Sequence, residues 1–182
     1  MRVQIMWSGG VESTSLLKWF LENTNDHIFA HNVELQNWEG RLNYEQRAMD
    51  TLEPRLQAIR PFRVIRSSCS IGNGRVCPED MHIIFPYGLW THRHYNMDVS
   101  YRAHCLEDAE RLRGHEHQVG WLDKFLYEGE VNPFQYHENY KWRKRQHWEY
   151  LGDLAPLTWS CRVPKDCKVC GTCHSCLLRE NF

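Results

Sequence analysis

Val3-Gln4-Ile5-Met6-Trp7-Ser8-Gly9-Gly10-Val11-Glu12-Ser13-Thr14 is the stretch on which the fold turns. Val3 to Trp7 is a short, mostly apolar run that stops at Ser-Gly-Gly, the pattern of a buried strand ending in a turn. From about Glu12 to Leu21, Leu16, Leu17 and Phe20 share one face of a helical period. A strand, a glycine turn and a helix in immediate succession leave unpaired N–H groups and the positive end of the helix dipole just beyond the strand. Two glycines let the backbone bend sharply and come close to a ligand. Ser8, Ser13 and Thr14 add hydroxyl donors. Such a turn suits a phosphate or pyrophosphate. The same residues also suit a plain strand-to-helix turn in which Ser13 or Glu12 supports the helix start. Gly-x-x-x-x-Gly-Lys-Ser/Thr and Gly-x-Gly-x-x-Gly are both excluded, since the required lysine is missing and Gly9 and Gly10 are adjacent.

Working outward, Phe29 to Leu35 predicts a second strand. A helix carrying Ala48, Met49, Leu52, Leu56 and Ile59 follows, with Pro54 expected to kink or restart it. Pro61 ends that helix, and Phe62 to Ile65 predicts a third strand. Strand, helix, strand, helix, strand implies a parallel sheet with covering helices and right-handed crossovers. Pro78 to Tyr95 reads as partly helical, interrupted at Pro86-Tyr87-Gly88. Met97 to Tyr101 reads as a fourth strand. Leu106 to Leu112 and Val119 to Leu126 read as helical, and Glu138 to Leu151 as one helix rich in aromatic and basic side chains. The expected class is α/β, with helices on both faces of the sheet. The 182 residues suit one domain with a full core, and no repeat or low-complexity linker divides them.

The far end carries a second signal. Five of the eight cysteines fall between Cys161 and Cys176. A disulfide scaffold would spread its cysteines along a shorter chain, so a tight cluster points to a metal. Cys161, Cys170, Cys173 and Cys176 give Cys-x8-Cys-x2-Cys-x2-Cys, and thiolates so spaced can converge on one tetrahedral ion. Cys167 offers an alternative fourth ligand. A redox thiol cluster and an iron–sulfur site are the other readings. Cys69, Cys77 and Cys105 read as buried or free thiols; a second metal site with His82, His104 or His115 is the weaker alternative.

A formal net charge of −1 supplies no global basic field, so direct nucleic-acid binding is not expected. No apolar run reaches the ~20 residues that cross a bilayer, and the start lacks the length of a signal peptide, so no membrane association and a cytoplasmic location are expected. Lys141, Arg143, Lys144 and Arg145, beside Trp142 and Trp148, read as a solvated helix face with the tryptophans packed inward. A contact to nucleotide or nucleic acid is the alternative. His92 and His94 receive no catalytic role.

Ser8-Gly9-Gly10-Val11-Glu12-Ser13 resembles the Ser-Gly-Gly-x-Asp-Ser loop of the ATP pyrophosphatase (PP-loop) superfamily, with Glu12 in place of aspartate. Leu157-Thr158-Trp159-Ser160-Cys161, with Cys170-Gly171-x-Cys173-x-Ser175-Cys176-x-x-Arg179, resembles the C-terminal signature of the 7-cyano-7-deazaguanine synthase (QueC) family. Together the two stretches cover about the first and last twenty residues. The resemblance implies a Rossmann-like, adenine nucleotide alpha hydrolase-like fold in one domain over 1–182, with a zinc-binding tail at about 157–182. It selects Cys161 over Cys167 as the fourth ligand of a structural Zn²⁺. It implies an ATP-dependent carbon–nitrogen ligase using ATP with Mg²⁺, which adenylates the carboxylate of 7-carboxy-7-deazaguanine so that ammonia gives the amide, and a second ATP drives its dehydration to the nitrile. Queuosine biosynthesis is the implied pathway.

By this resemblance Ser13 and Glu12 are the catalytic candidates, and Ser8, Gly9, Gly10, Val11, Glu12, Ser13 and Thr14 hold the nucleotide. One of the cations at 141–145 could neutralise phosphate. A homodimer is left open. The chain departs from the family in its shortness and in Glu12. It departs again at Tyr101-Arg102-Ala103-His104-Cys105-Leu106-Glu107-Asp108, where the family carries Tyr-Pro-Asp-Cys-Arg. Two other readings stand beside the enzyme. One is a weakened nucleotide- or deazapurine-binding relative, phage- or defence-associated, that acts with a partner. The other is a zinc-ribbon interaction protein in which the glycine turn is incidental.

Overall fold

Arg2–Met6 forms β1, the middle strand of a five-stranded sheet in the computed structural model. Residues 1–71, 81–108, 134–166 and 168–179 are described. Strand β2 is His27–Gln36, β3 Arg63–Ser70, β4 Val99–Arg102 and β5 Phe134–Tyr136. Their spatial order is β3-β2-β1-β4-β5, and every pairing is parallel. The helices are α1 (Val11–Asn23), α2 (Leu42–Ile59), α3 (Met81–His94), α4 (Lys144–Leu151) and α5 (His174–Arg179).

Alternation along the strands assigns the two faces. Val3, Ile5 and Trp7 point to the side where Leu16, Leu17 and Phe20 of α1 meet Met49, Leu52 and Leu56 of α2. Met6 and Val33 point to the other side, against Phe85 and Leu89 of α3. Helices therefore cover both faces, as expected for an α/β fold with a buried parallel sheet. Gly88 is required by close approach, because a Cβ there would lie 2.6 Å from Phe134 Cζ and 3.1 Å from Met6 Sδ. Beneath α3 a buried polar chain crosses the sheet. His31 bonds Gln4 (3.1 Å) and Ser67 (2.9 Å), the Ser100 hydroxyl donates to Gln4 (2.8 Å), and His92 bonds Ser100 (2.9 Å). No helix among the described residues is long and apolar enough to cross a membrane.

Several local expectations are corrected. Helix α2 runs through Pro54, whose exposed position leaves the lost backbone bond facing water while Ala48, Met49, Leu52 and Leu56 hold both halves on the sheet. Helix α3 runs through Pro86-Tyr87-Gly88, because burial of Phe85 and Leu89 outweighs the local breakers. Strand β3 continues to Ser70, paired with Gln36; its polar outer face ended the apolar signal at Ile65. The single helix expected over 138–151 is a 3-10 turn, Glu138–Lys141, followed by α4. The Trp142 carbonyl between them accepts from Leu106 N–H (2.8 Å), which takes it out of the helical ladder. Strand β5 went unread, being three residues long. Leu106 to Asp108 is helical. The rest of that expected helix, the one at 119–126, and Cys77, His115 and Cys167 lie outside the described residues.

Candidate functional site

In this strand order the chain reverses its direction of spread between β1 and β4. Ligands of open parallel sheets bind beyond the carboxyl ends of the strands at that reversal. The two segments leaving those ends are 7–12 and 103–108, so the glycine turn and the Tyr101–Asp108 stretch share one crevice mouth.

The turn itself is tightly specified. Gly9 has φ +73°, and a Cβ there would meet Met49 Cγ at 2.9 Å. Gly10 caps α1 without help from a side chain, so the first-turn N–H groups rely on other partners. Ser8 is exposed at the mouth. Its hydroxyl lies 3.2 Å from that of Ser13, and Ser13 Oγ also accepts from Ser8 N–H at 3.2 Å. Thr14 points inward, accepting from Trp7 Nε1 at 3.1 Å, which leaves Ser8 and Ser13 as the hydroxyls on the cradle side. Val11 is buried against Leu151 and Ala155, so it faces the turn only with its backbone.

Glu12 is where the structure adds most. Lys144 Nζ lies 2.8 Å from Glu12 Oε1, with the two side chains 3% and 16% exposed. Burial alone would raise the Glu12 pKa, but the Lys144 ammonium more than offsets it and holds the carboxyl down at about 2. For Lys144, burial works to lower the pKa, and Glu12 outweighs it so that the net shift is upward. Cys105 Sγ donates to Asp108 Oδ2 at 3.3 Å beside the pair, and burial pushes this thiol up. Ligand atoms of Glu12, Cys105 and Asp108 lie within 4.8 Å of one another. Lys144 already supplies the positive charge at that cluster, so the cluster is not assigned a metal.

The basic stretch is thereby corrected: Arg143 and Arg145 are exposed, but Lys144 is buried. The signal that could have found it is a spacing of three. Glu12, Ser15 and Lys18 on α1 meet Lys144, His147 and Tyr150 on α4, through the ion pair, a 3.0 Å Ser15–His147 bond and a 2.7 Å bond from Lys18 Nζ to the Tyr150 carbonyl. Two helices running side by side in parallel bring such residues level every turn.

The cysteines converge as the sequence predicted. Ligand sulfurs of Cys161, Cys170, Cys173 and Cys176 lie within 4.8 Å of one another, and Cys170 Sγ is 3.9 Å from Cys176 Sγ. Bonds of ~2.3 Å to one tetrahedral ion place sulfurs about 3.8 Å apart. Backbone N–H groups already point at two of the sulfurs, Cys170 N to Cys161 Sγ (3.2 Å) and Cys173 N to Cys170 Sγ (3.3 Å). The N–H groups of Thr172 and Cys173 draw the Cys170 thiol down to about 6, while burial pushes Cys176 up to about 12. The set can bind a metal.

No protein-family model matches this chain, and no curated protein matches it. Solved structures do. One is the U34-tRNA thiolase NcsA from Methanococcus maripaludis with its 4Fe-4S cluster, at 15% identity and a TM-score of 0.60. This chain shares that protein's fold. The match covers 100% of this chain but 63% of the thiolase, so this chain spans less than two thirds of its length. The Rossmann-like architecture implied by the resemblance, a parallel sheet with helices on both faces, is thus the architecture present.

Proposed function

We propose that this chain is an ATP-using enzyme of the PP-loop kind. On this reading it adenylates the carboxylate of a 7-deazapurine, 7-carboxy-7-deazaguanine in the first instance, and ammonia displaces AMP to give the amide; a second ATP then adenylates the amide oxygen, which leaves with AMP as the amide nitrogen loses its protons, giving the nitrile. The observation that carries the reading is the Ser8–Ser13 turn. A left-handed Gly9 and an uncapped Gly10 open the first helix at the reversal point of the sheet. In this site the first-turn N–H groups and the hydroxyls of Ser8 and Ser13 bind the polyphosphate. They stabilise the charge that grows on departing pyrophosphate. Lys144 fixes Glu12, and with it the first turn of α1. Because Lys144 engages the Glu12 carboxylate, magnesium would be held by the triphosphate and not by Glu12.

The four thiolates would hold zinc in a closed, structural site. Their close approach favours one ion over a four-iron cube, whose irons each carry an outward thiolate and splay the cysteines farther apart. The location proposed is cytoplasmic. The test is product analysis: AMP and pyrophosphate should appear only when ATP, the deazapurine carboxylate and ammonia are all present. Their absence across a panel of carboxylates, with nucleotide binding retained, supports the second reading, a nucleotide- or deazapurine-binding relative that acts with a partner. The observation favouring that reading is the commitment of Glu12 to Lys144.

A further inference from the structure

The two motifs sit at opposite ends of the chain, yet the fold places them against each other. Trp159 N–H donates to the Gly9 carbonyl at 3.0 Å. Its indole lies flat on Tyr44, with ring centres 4.6 Å apart and planes 15° apart. Trp159 Nε1 donates to the Cys161 carbonyl at 2.9 Å. One residue therefore spans from the backbone of the first thiol to the peptide that shapes the phosphate turn. A second link leaves the other end of the cluster. His174, between Cys173 and Cys176, has Nε2 at 3.3 Å from Asp108 Oδ1, and Asp108 holds Cys105 beside Glu12 and Lys144. A third is Arg179, whose guanidinium lies 4.5 Å from the centre of the Trp148 ring, itself packed with Val11 at the first residue of α1.

These anchors need something to hold them in place, and the tail has little of its own. Between residues 159 and 179 the buried side chains among those described are Cys161 and Cys176. The regular structure there is the short α5 and an isolated bridge between Lys165 and Lys168. A segment this small without an apolar core takes its shape from a metal.

We infer that metal binding at the four cysteines shapes the glycine turn, so that the nucleotide site forms fully only in the metal-loaded protein. The inference rests on the nucleotide reading of the turn. The core of β1, β2, α1 and α2 is built mainly from residues outside the tail, so the metal-free chain keeps its sheet while the cradle loses its support. Coupling between two sites of this kind is typically about 5- to 150-fold in affinity.

The test is calorimetric titration of the full chain with a non-hydrolysable ATP analogue and magnesium. Zinc-loaded protein, chelator-treated protein and zinc-loaded Trp159→Ala are compared, with zinc content measured for each. The expected result is binding at least ~10-fold weaker after chelation, restored by one equivalent of zinc, and at least ~5-fold weaker in Trp159→Ala at full zinc content. Should chelation unfold the chain, Trp159→Ala carries the test. Equal affinity in chelated but folded protein, or in zinc-loaded Trp159→Ala, overturns the inference. If the zinc-loaded wild type binds no nucleotide, the nucleotide reading is what fails. The coupling is then read separately by hydrogen exchange at residues 9–14: faster exchange on zinc removal supports it, and unchanged exchange overturns it.

Discussion

Replacing Glu12 with glutamine removes one charge of a buried pair and strands the other. Lys144 is 3% exposed with its ammonium 2.8 Å from Glu12, so Glu12→Gln leaves that ammonium without its partner. Breaking a buried pair from one side costs about 3–5 kcal/mol, a large share of the ~5–15 kcal/mol that keeps a domain folded. Urea unfolding followed by tryptophan fluorescence should show that loss as a lower midpoint at unchanged slope. The double variant Glu12→Gln/Lys144→Met removes both charges and should recover most of it. The pH dependence has a definite sign. Glu12 is held at about 2, below its ordinary 4.5, so its contribution is complete above about pH 4.5 and is lost as pH falls towards 2. The wild-type advantage over Glu12→Gln should shrink across that window. A cost under ~1 kcal/mol, the worth of an exposed pair, or an advantage that persists at pH 2, would refute the buried-pair account.

Three further outcomes follow from other contacts. Cys173→Ser should lose the metal and, with it, the shape of residues 159–179, while the sheet stays folded; metal analysis showing full occupancy, with hydrogen exchange in that segment unchanged, contradicts the ligand assignment. Gly9→Ala must strain a φ of +73° and push against Met49 Cγ at 2.9 Å, so it should cost ~2 kcal/mol or more by urea unfolding and abolish binding of the ATP analogue. Burial lowers His31 to about 4 from 6.5, so its neutral form supports folding above pH 6.5 and that support is lost as pH falls towards 4. Substituting His31 by asparagine should flatten the fall in stability between those values, measured as urea midpoints against pH.

The parallel sheet was legible because Val3 to Trp7 and the glycines after it form a nearly self-sufficient signal, and the spacing of Cys161, Cys170, Cys173 and Cys176 predicted their convergence. The helices failed to read where tertiary packing overrules local chemistry. Pro54 and Pro86 are breakers by propensity, yet each lies in a helix fixed by apolar neighbours on the sheet. Trp142 ends a helix through a bond to Leu106, thirty-six residues away and invisible to any local window. Lys144 misled for a related reason. In sequence it stands among solvated cations, and its burial is decided by Glu12 on another helix. Nor could spacing reveal that Trp159 would reach back to Gly9 and join the two ends of the chain.

The most direct measurement is a crystal structure of the zinc-loaded chain with ATP and magnesium. Triphosphate oxygens should lie within hydrogen-bonding distance of the N–H groups of residues 9–13 and of the Ser8 and Ser13 hydroxyls. Nucleotide bound elsewhere, with those N–H groups and hydroxyls out of contact with phosphate, would contradict the account.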